Sequence, residues 1–137
     1  MSAHELALQK ALIAHLQANT AVRALLGEPA RIWDALPAEP AFPHLLIGRC
    51  ESRPVGADGA GVEQALTLTV VSRFRGTEEA KAVLAAVRSA LNDAALEADG
   101  VRTVSLRVTF ADVCPGANGA RTFAVLRVRA VTEEIET

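Results

Sequence analysis

Residues 62–74, VEQALTLTVVSRF, put Leu66, Leu68, Val70 and Phe74 on one side of an extended chain, and Glu63, Thr67, Thr69, Arg73 and the following Arg75 on the other. A period of two, interrupted only at Val71 and Ser72, predicts a long strand with one buried face. The next stretch, TEEAKAVLAAVRSALN, changes period. At helical spacing Ala80, Val83, Leu84, Val87 and Leu91 share a third of a turn, which predicts an amphipathic helix. Thr77 is placed to cap it, and Glu78 and Glu79 sit where the helix dipole favours negative charge. A strand face and a helix stripe, both apolar and joined by a short turn, bury each other. The rest of the chain is expected to pack on this unit.

Residues 3–18 predict a first helix with an apolar arc of Leu6, Leu8, Leu12, Ile13 and Leu16. Residues 20–26 predict a second, with Thr20 as cap, Val22, Leu25 and Leu26 inward, and Gly27 as a left-handed stop. Glu28 and Pro29 turn the chain into a short strand, Arg31 to Asp34, which carries the only tryptophan, Trp33. Pro37, Pro40 and Pro43 then make a stiff extended connector, because proline lacks a ladder N–H and drives its predecessor to extended geometry. A strand is predicted from His44 to Ser52, and a glycine-rich loop from Arg53 to Gly61 that orders against a partner. Asp99 and Gly100 turn into a strand in which Val104, Leu106, Val108 and Phe110 alternate with Thr103, Ser105, Arg107 and Thr109. A loop over Asp112 to Ala120 leads to the last strand, Thr122 to Thr132, with Ala124, Leu126, Val128 and Ala130 on one face.

This order predicts an α+β fold: an antiparallel sheet of about four to five strands with helices on one face, a two-layer sandwich formed by residues 1–137 as a single domain. At 137 residues the chain can bury about two-thirds of the surface it exposes when unfolded, without disulfides or metal. Aromatic residues make up only 4%, so Ala, Val and Leu must build the core. A net charge of −2 argues against a dedicated nucleic-acid or membrane-surface protein. Cys50 and Cys114 lack CxxC spacing and read as reduced thiols. The N-terminus has acid and base inside its apolar pattern, as in a mature helix and not a signal peptide, which predicts folding in the cytoplasm.

Catalytic constellations are absent from the pattern. His4 and His15 read as solvated residues of the first helix and not as metal ligands. His44 and Cys50 share a strand face by spacing but lie about 20 Å apart at some 3.3 Å per residue. The glycines near 56–61 and 116–119 do not join a strand to a helix, so a phosphate cradle is excluded by context. Asp112, at a strand end beside a glycine-rich loop, is a candidate acid but reads better as a turn cap. No catalytic residue, cofactor or metal is expected.

The polar sheet face is the exception. Arg49, Arg73, Arg75, Arg107, Arg127 and Arg129 project from strand positions among threonines and serines, together with Phe123, Val125, Val71 and Val131. Each arginine alone reads as part of a solvated face balanced by nearby acids. As a set, mixed with apolar residues and poor in lysine, they have the composition of a protein–protein interface. The expected subunit interface is Arg49, Arg73, Arg75, Arg107, Phe123, Val125, Arg127 and Arg129. The expected partner-contacting loop residues are Arg53, Val55, Asp58, Asp112 and Asn118.

Four stretches, LLG after the first helices, RIWDALPAEPAFPHLLIG, LTLTVVSRFRGTEEAKAVLAAVRSALND and FADVCPGANGARTFAVLRVRAVTEE, together resemble the tail-completion or tail-terminator proteins of long-tailed phages and gene transfer agents. The resemblance spans nearly the whole chain and consists of fold signatures, not chemical motifs. It implies a structural protein without catalysis, forming a ring, commonly of six subunits, that caps the tail tube. The implied partners are copies of itself, the tail tube protein and a head-side connector, with DNA passing through the opening and no membrane. Two rival readings are a nucleic-acid binder using the arginine face, and a small-molecule-binding α+β module or dimeric enzyme with a pocket between sheet and helices. The first lacks exposed aromatics for stacking and the second lacks a polar cluster.

Overall fold

The computed structural model describes residues 3–73, 76–116 and 120–135. Helix α1 (His4–Ala18) and the short α2 (Thr20–Leu26) lead into strands β1 (Ile32–Trp33), β2 (His44–Val55) and β3 (Gly61–Ser72). Helix α3 (Glu78–Leu91) follows, then β4 (Glu97–Ala98), β5 (Val101–Pro115) and β6 (Thr122–Glu134). One sheet takes all six strands in the order β1-β2-β3-β6-β5-β4, and the three helices lie on one of its faces. The two-layer α+β arrangement agrees with the sequence reading. The sheet is larger than the expected four to five strands, and it is not wholly antiparallel, because β1 pairs with β2 in parallel.

The central unit forms as the periodicity requires. Ala80, Val83, Leu84, Val87 and Leu91 of α3 are buried against Leu66, Leu68 and Val70 of β3 and Leu126 and Val128 of β6. Each fully buried Leu or Val contributes about 1.5–3 kcal/mol by leaving water, so this layer contact dominates the fold. In α1 the buried stripe is Ala7, Leu8, Ala11, Leu12 and Leu16; Leu6, expected in the arc, is 51% exposed. Asn19, one residue before the expected Thr20, caps α2 by accepting the Val22 amide at 3.0 Å. Thr77 precedes α3 with helical backbone angles and makes no capping bond, so its hydroxyl does not serve as expected. Gly27 ends α2 at φ 92°, ψ 179°, a region only glycine occupies readily and more restrictive than the expected left-handed stop.

Two predicted loops are partly strand. β2 and β3 pair as far as Val55 and Gly61, leaving only residues 56–60 as a turn, and β5 runs on to Pro115. The short β4, missed in the sequence, exists because Asp99 and Gly100 both adopt positive φ, the two-residue turn that matches strand twist.

Three β-bulges decide which side chains face the helices. One lies between Ile47 and Cys50, the others between Thr103 and Ser105 and between Val108 and Phe110. Each inserts one unpaired residue and inverts the alternation beyond it. The apparently regular run of β5 is thereby broken: Leu106 is buried and Val108 half-buried, whereas Val104 is 60% and Phe110 49% exposed. The bulge in β2 likewise places His44 and Cys50 on opposite faces, ending the pairing that their spacing had allowed.

Buried polar groups tie α1 to the sheet. Gln64 and Thr132, on neighbouring strands, are fully buried, and Gln64 Nε2 donates to the His4 carbonyl at 3.2 Å and to Thr132 Oγ1 at 3.1 Å. His15 reaches the carbonyl of Ala90 in α3 at 2.7 Å. Both histidines are therefore packing residues, where the sequence suggested solvated ones.

Candidate subunit interface

The sheet face turned away from the helices is built from alternate residues of four strands. Glu63, Ala65, Thr67, Thr69 and Val71 of β3 stand opposite Val131, Arg129, Arg127, Val125 and Phe123 of β6. On β5 the pairs across to β6 are Arg107 with Arg129, Phe110 with Arg127, Asp112 with Val125 and Cys114 with Phe123. On β2, Arg53 stands opposite Glu63. The structure thus brings together Arg107, Phe123, Val125, Arg127 and Arg129 of the expected interface, with Arg49 at the β2 bulge. Arg75 and Asn118 lie outside the described residues.

The charges on this face are matched locally. Glu63 holds Arg53 at 3.0 Å through one carboxylate oxygen and Arg129 through the other. Those bonds, from Arg129 foremost and then Arg53, hold the Glu63 carboxyl below the usual carboxylate range. Arg102 pairs with Glu133 at 2.7 Å and Arg49 with Glu51 at 3.4 Å. Arg127 stacks over Phe110, its guanidinium carbon 5.4 Å from the ring centre. Arg107 and Arg129, directly opposite each other, would repel; Arg129 is neutralised by Glu63 and Arg107 lies 3.6 Å from Asp93.

One expected member sits elsewhere, and one end of the face is covered. Arg73 lies beyond the end of β3 and packs over Phe42 at 4.7 Å, with Arg121 on the same ring at 5.0 Å. Val71 is only 5% exposed, because the proline connector folds over this end of the face instead of running along the surface. Arg31 fixes the connector by donating to the carbonyls of Pro43 at 2.8 Å and Phe42 at 3.3 Å. His44 is buried between Trp33 and Phe42 and contacts the Ala41 carbonyl at 2.8 Å. Burial lowers its pKa, and the Arg31 and Arg121 charges act in the same direction against that hydrogen bond.

Arg53, Val55 and Asp112, expected in loops, are strand residues, and Asp112 caps no turn; Asp58 alone of the described loop set lies in a turn, accepting the Ala60 amide at 3.0 Å. The sequence missed His4, Gln64 and Thr132, whose lone polar positions on apolar faces were the available signal. Among the described residues no group of His, Cys, Asp or Glu could hold a metal. No described helix is long and apolar enough to cross a membrane. An open depression of about 690 Å³ is lined by Leu25, Gly76, Glu78, Glu79 and Ala82, without convergent polar groups.

These features define a class: a small two-layer α+β domain whose sheet presents an uncovered face of paired charges and apolar side chains in place of a cleft. The chain belongs to the tail completion protein gp17 family, whose model matches residues 10–133. A solved chain from the virion of a native gene transfer agent particle is similar at 28% identity with a TM-score of 0.86, over 97% of this chain and 99% of that one. A second solved chain, 17% identical with a TM-score of 0.53, covers 94% of this chain and 97% of that one and shares the fold alone. No curated protein matches.

Proposed function

We propose that the chain is a structural component of a phage-like or gene transfer particle. It assembles into a ring at the head-proximal end of the tail tube, stops tube polymerisation and joins the tail to the head-side connector. The observation that carries this reading is the end-to-end correspondence with a chain of the gene transfer agent virion. Ring closure requires two different patches on each subunit that fit each other, and an open sheet supplies two different edges. DNA passes through the opening without sequence-specific binding. Arg53, Arg102 and Arg129 already hold carboxylates, so the face has little free positive charge with which to displace phosphate counterions.

Native mass spectrometry over a concentration series, with negative-stain imaging, tests the ring. Particles lacking the chain test the role: tubes of irregular length, unattached to heads, are expected. A monomer at every concentration together with tubes of normal length joined to heads would overturn the reading.

A further inference from the structure

Two stretches of sheet edge are left open, at opposite corners. Among the described residues β1 covers β2 only at Leu45 and Leu46, and the edge from Cys50 to Val55 has no neighbour. On the other side, β4 and the segment before it cover β5 as far as Val108, where Asn92 Oδ1 accepts the amide. Beyond Val108 the edge from Phe110 to Pro115 is uncovered among the described residues.

The bulges fix which backbone groups point outward. Leu45 donates outward to Arg31, and the inversion at Gly48 and Arg49 makes Cys50, Ser52 and Pro54 the outward residues beyond. On β5, Thr103 donates outward to Leu96, and Gly116 donates inward to Arg121; with two inversions between, Ala111, Val113 and Pro115 point outward. Each open edge therefore ends in a proline, which a strand accepts only where its missing N–H faces away from its own ladder.

β2 and β5 run in opposite directions, so copies related by rotation can join them as an antiparallel pair. Ser52 opposite Val113 is a register that uses every free donor and also matches the charges. The amides of Ser52 and Val113 bond reciprocally, that of Cys50 meets the Pro115 carbonyl, and that of Ala111 meets the Pro54 carbonyl. On the face away from the helices this register sets Arg53 against Asp112 and Val55 against Phe110. Asp112 is exposed and makes no ion pair among the described residues. Shifting the register so that Ser52 meets Pro115 leaves the Cys50 and Ala111 amides unbonded; shifting it so that Ser52 meets Ala111 bonds every amide but sets Glu51 against Asp112 and separates the opposite charges. Because both strands keep the same inward face, every copy's helices fall on one side of the joined sheet.

We infer that neighbouring copies of this chain join edge to edge, β2 of one pairing antiparallel with β5 of the next in the register Ser52 to Val113, so that one sheet runs around the assembly. This rests on the ring reading and specifies its interface. Arg53 and Asp112 form a non-hydrogen-bonded pair there, with Cα atoms about 4.5 Å apart, close enough for a disulfide. The test is the R53C/D112C variant of the full chain, with Cys50 and Cys114 changed to Ser. Mild oxidation should give a ladder of covalent oligomers ending at the ring mass, whereas either single cysteine alone should give none. In the otherwise natural chain, Arg53→Asp or Asp112→Arg should weaken assembly about five-fold or more, and the R53D/D112R swap should restore it. Rings that form in native mass spectrometry without cross-linking, and that ignore the charge changes, overturn the edge pairing and leave the ring standing. A chain that neither cross-links nor forms a ring overturns both.

Discussion

The imidazole Nδ1 of His4 lies 2.8 Å from Oγ1 of Thr132, so the first helix and the last strand are joined by one buried hydrogen bond across 128 positions. Thr132 Oγ1 donates to the Val62 carbonyl at 3.4 Å and accepts from Gln64 Nε2, which leaves His4 as a second donor. A single hydroxyl thereby satisfies two buried side chains from two other elements.

Thr132→Val keeps the shape and removes that hydroxyl, stranding His4 and Gln64. The expected cost is about 1–3 kcal/mol in chemical denaturation. Combining it with Gln64→Leu should cost less than the two changes summed, because they share the network. Strict additivity would show that the hydroxyl does not link them.

Gly27→Ala should destabilise the fold by about 1–3 kcal/mol, because φ 92° with ψ 179° is nearly closed to other residues. Its Cβ would also come within 2.5 Å of the guanidinium of Arg31, which anchors the proline connector. The thermal midpoint reports the first effect. Increased proteolysis within residues 34–43 reports the second.

Burial holds the folded His44 pKa below its ordinary value of about 6.5. Between the lowered value and 6.5 the unfolded chain binds more protons than the folded one, so stability is full above 6.5 and falls as the pH drops through that window. Urea midpoints measured from pH 7.5 to 5.5 should show this decline. His44→Phe, which keeps a ring between Trp33 and Phe42, should flatten it even though the Ala41 bond is lost.

The Glu63 carboxyl should titrate below the ordinary carboxylate value in an NMR pH series, and Arg129→Gln should move it upward more than Arg53→Gln does. Its stabilising effect is present above the ordinary value and disappears as the pH falls through the depressed one. An unchanged titration in Arg129→Gln would remove Glu63 as the clamp of this face.

The layers of the fold were legible because burial follows periodicity where the backbone is regular. All five stripe residues of α3 and the inward set of β6, Ala124 to Ala130, stand where the pattern puts them. The bulges were not legible. An inserted residue such as Thr109 has no side-chain signature, and the run from Thr103 to Phe110 alternates smoothly in sequence while the backbone inverts beneath it. The parallel pairing of β1 depends on where the connector returns, which no local pattern encodes. Of the expected interface, the arginines of β5 and β6 do share a face, because β6 is regular. Arg73 departed and Val71 is covered because the connector folds back through Arg31 and His44, contacts with no counterpart in spacing.

The bulge at Thr109 is a place where the chain can absorb a change of length. Deleting that one residue would leave Val108 opposite Val128 and Phe110 opposite Arg127, so the ladder would lose its bulge and every later side chain would keep its side. A residue added after Phe110 has no such outlet: it would turn Asp112 toward the greasy underside of the helices and Ala111 and Val113 away from it. Genes in this lineage should therefore lose the triplet at codon 109 more readily than they gain one just beyond it.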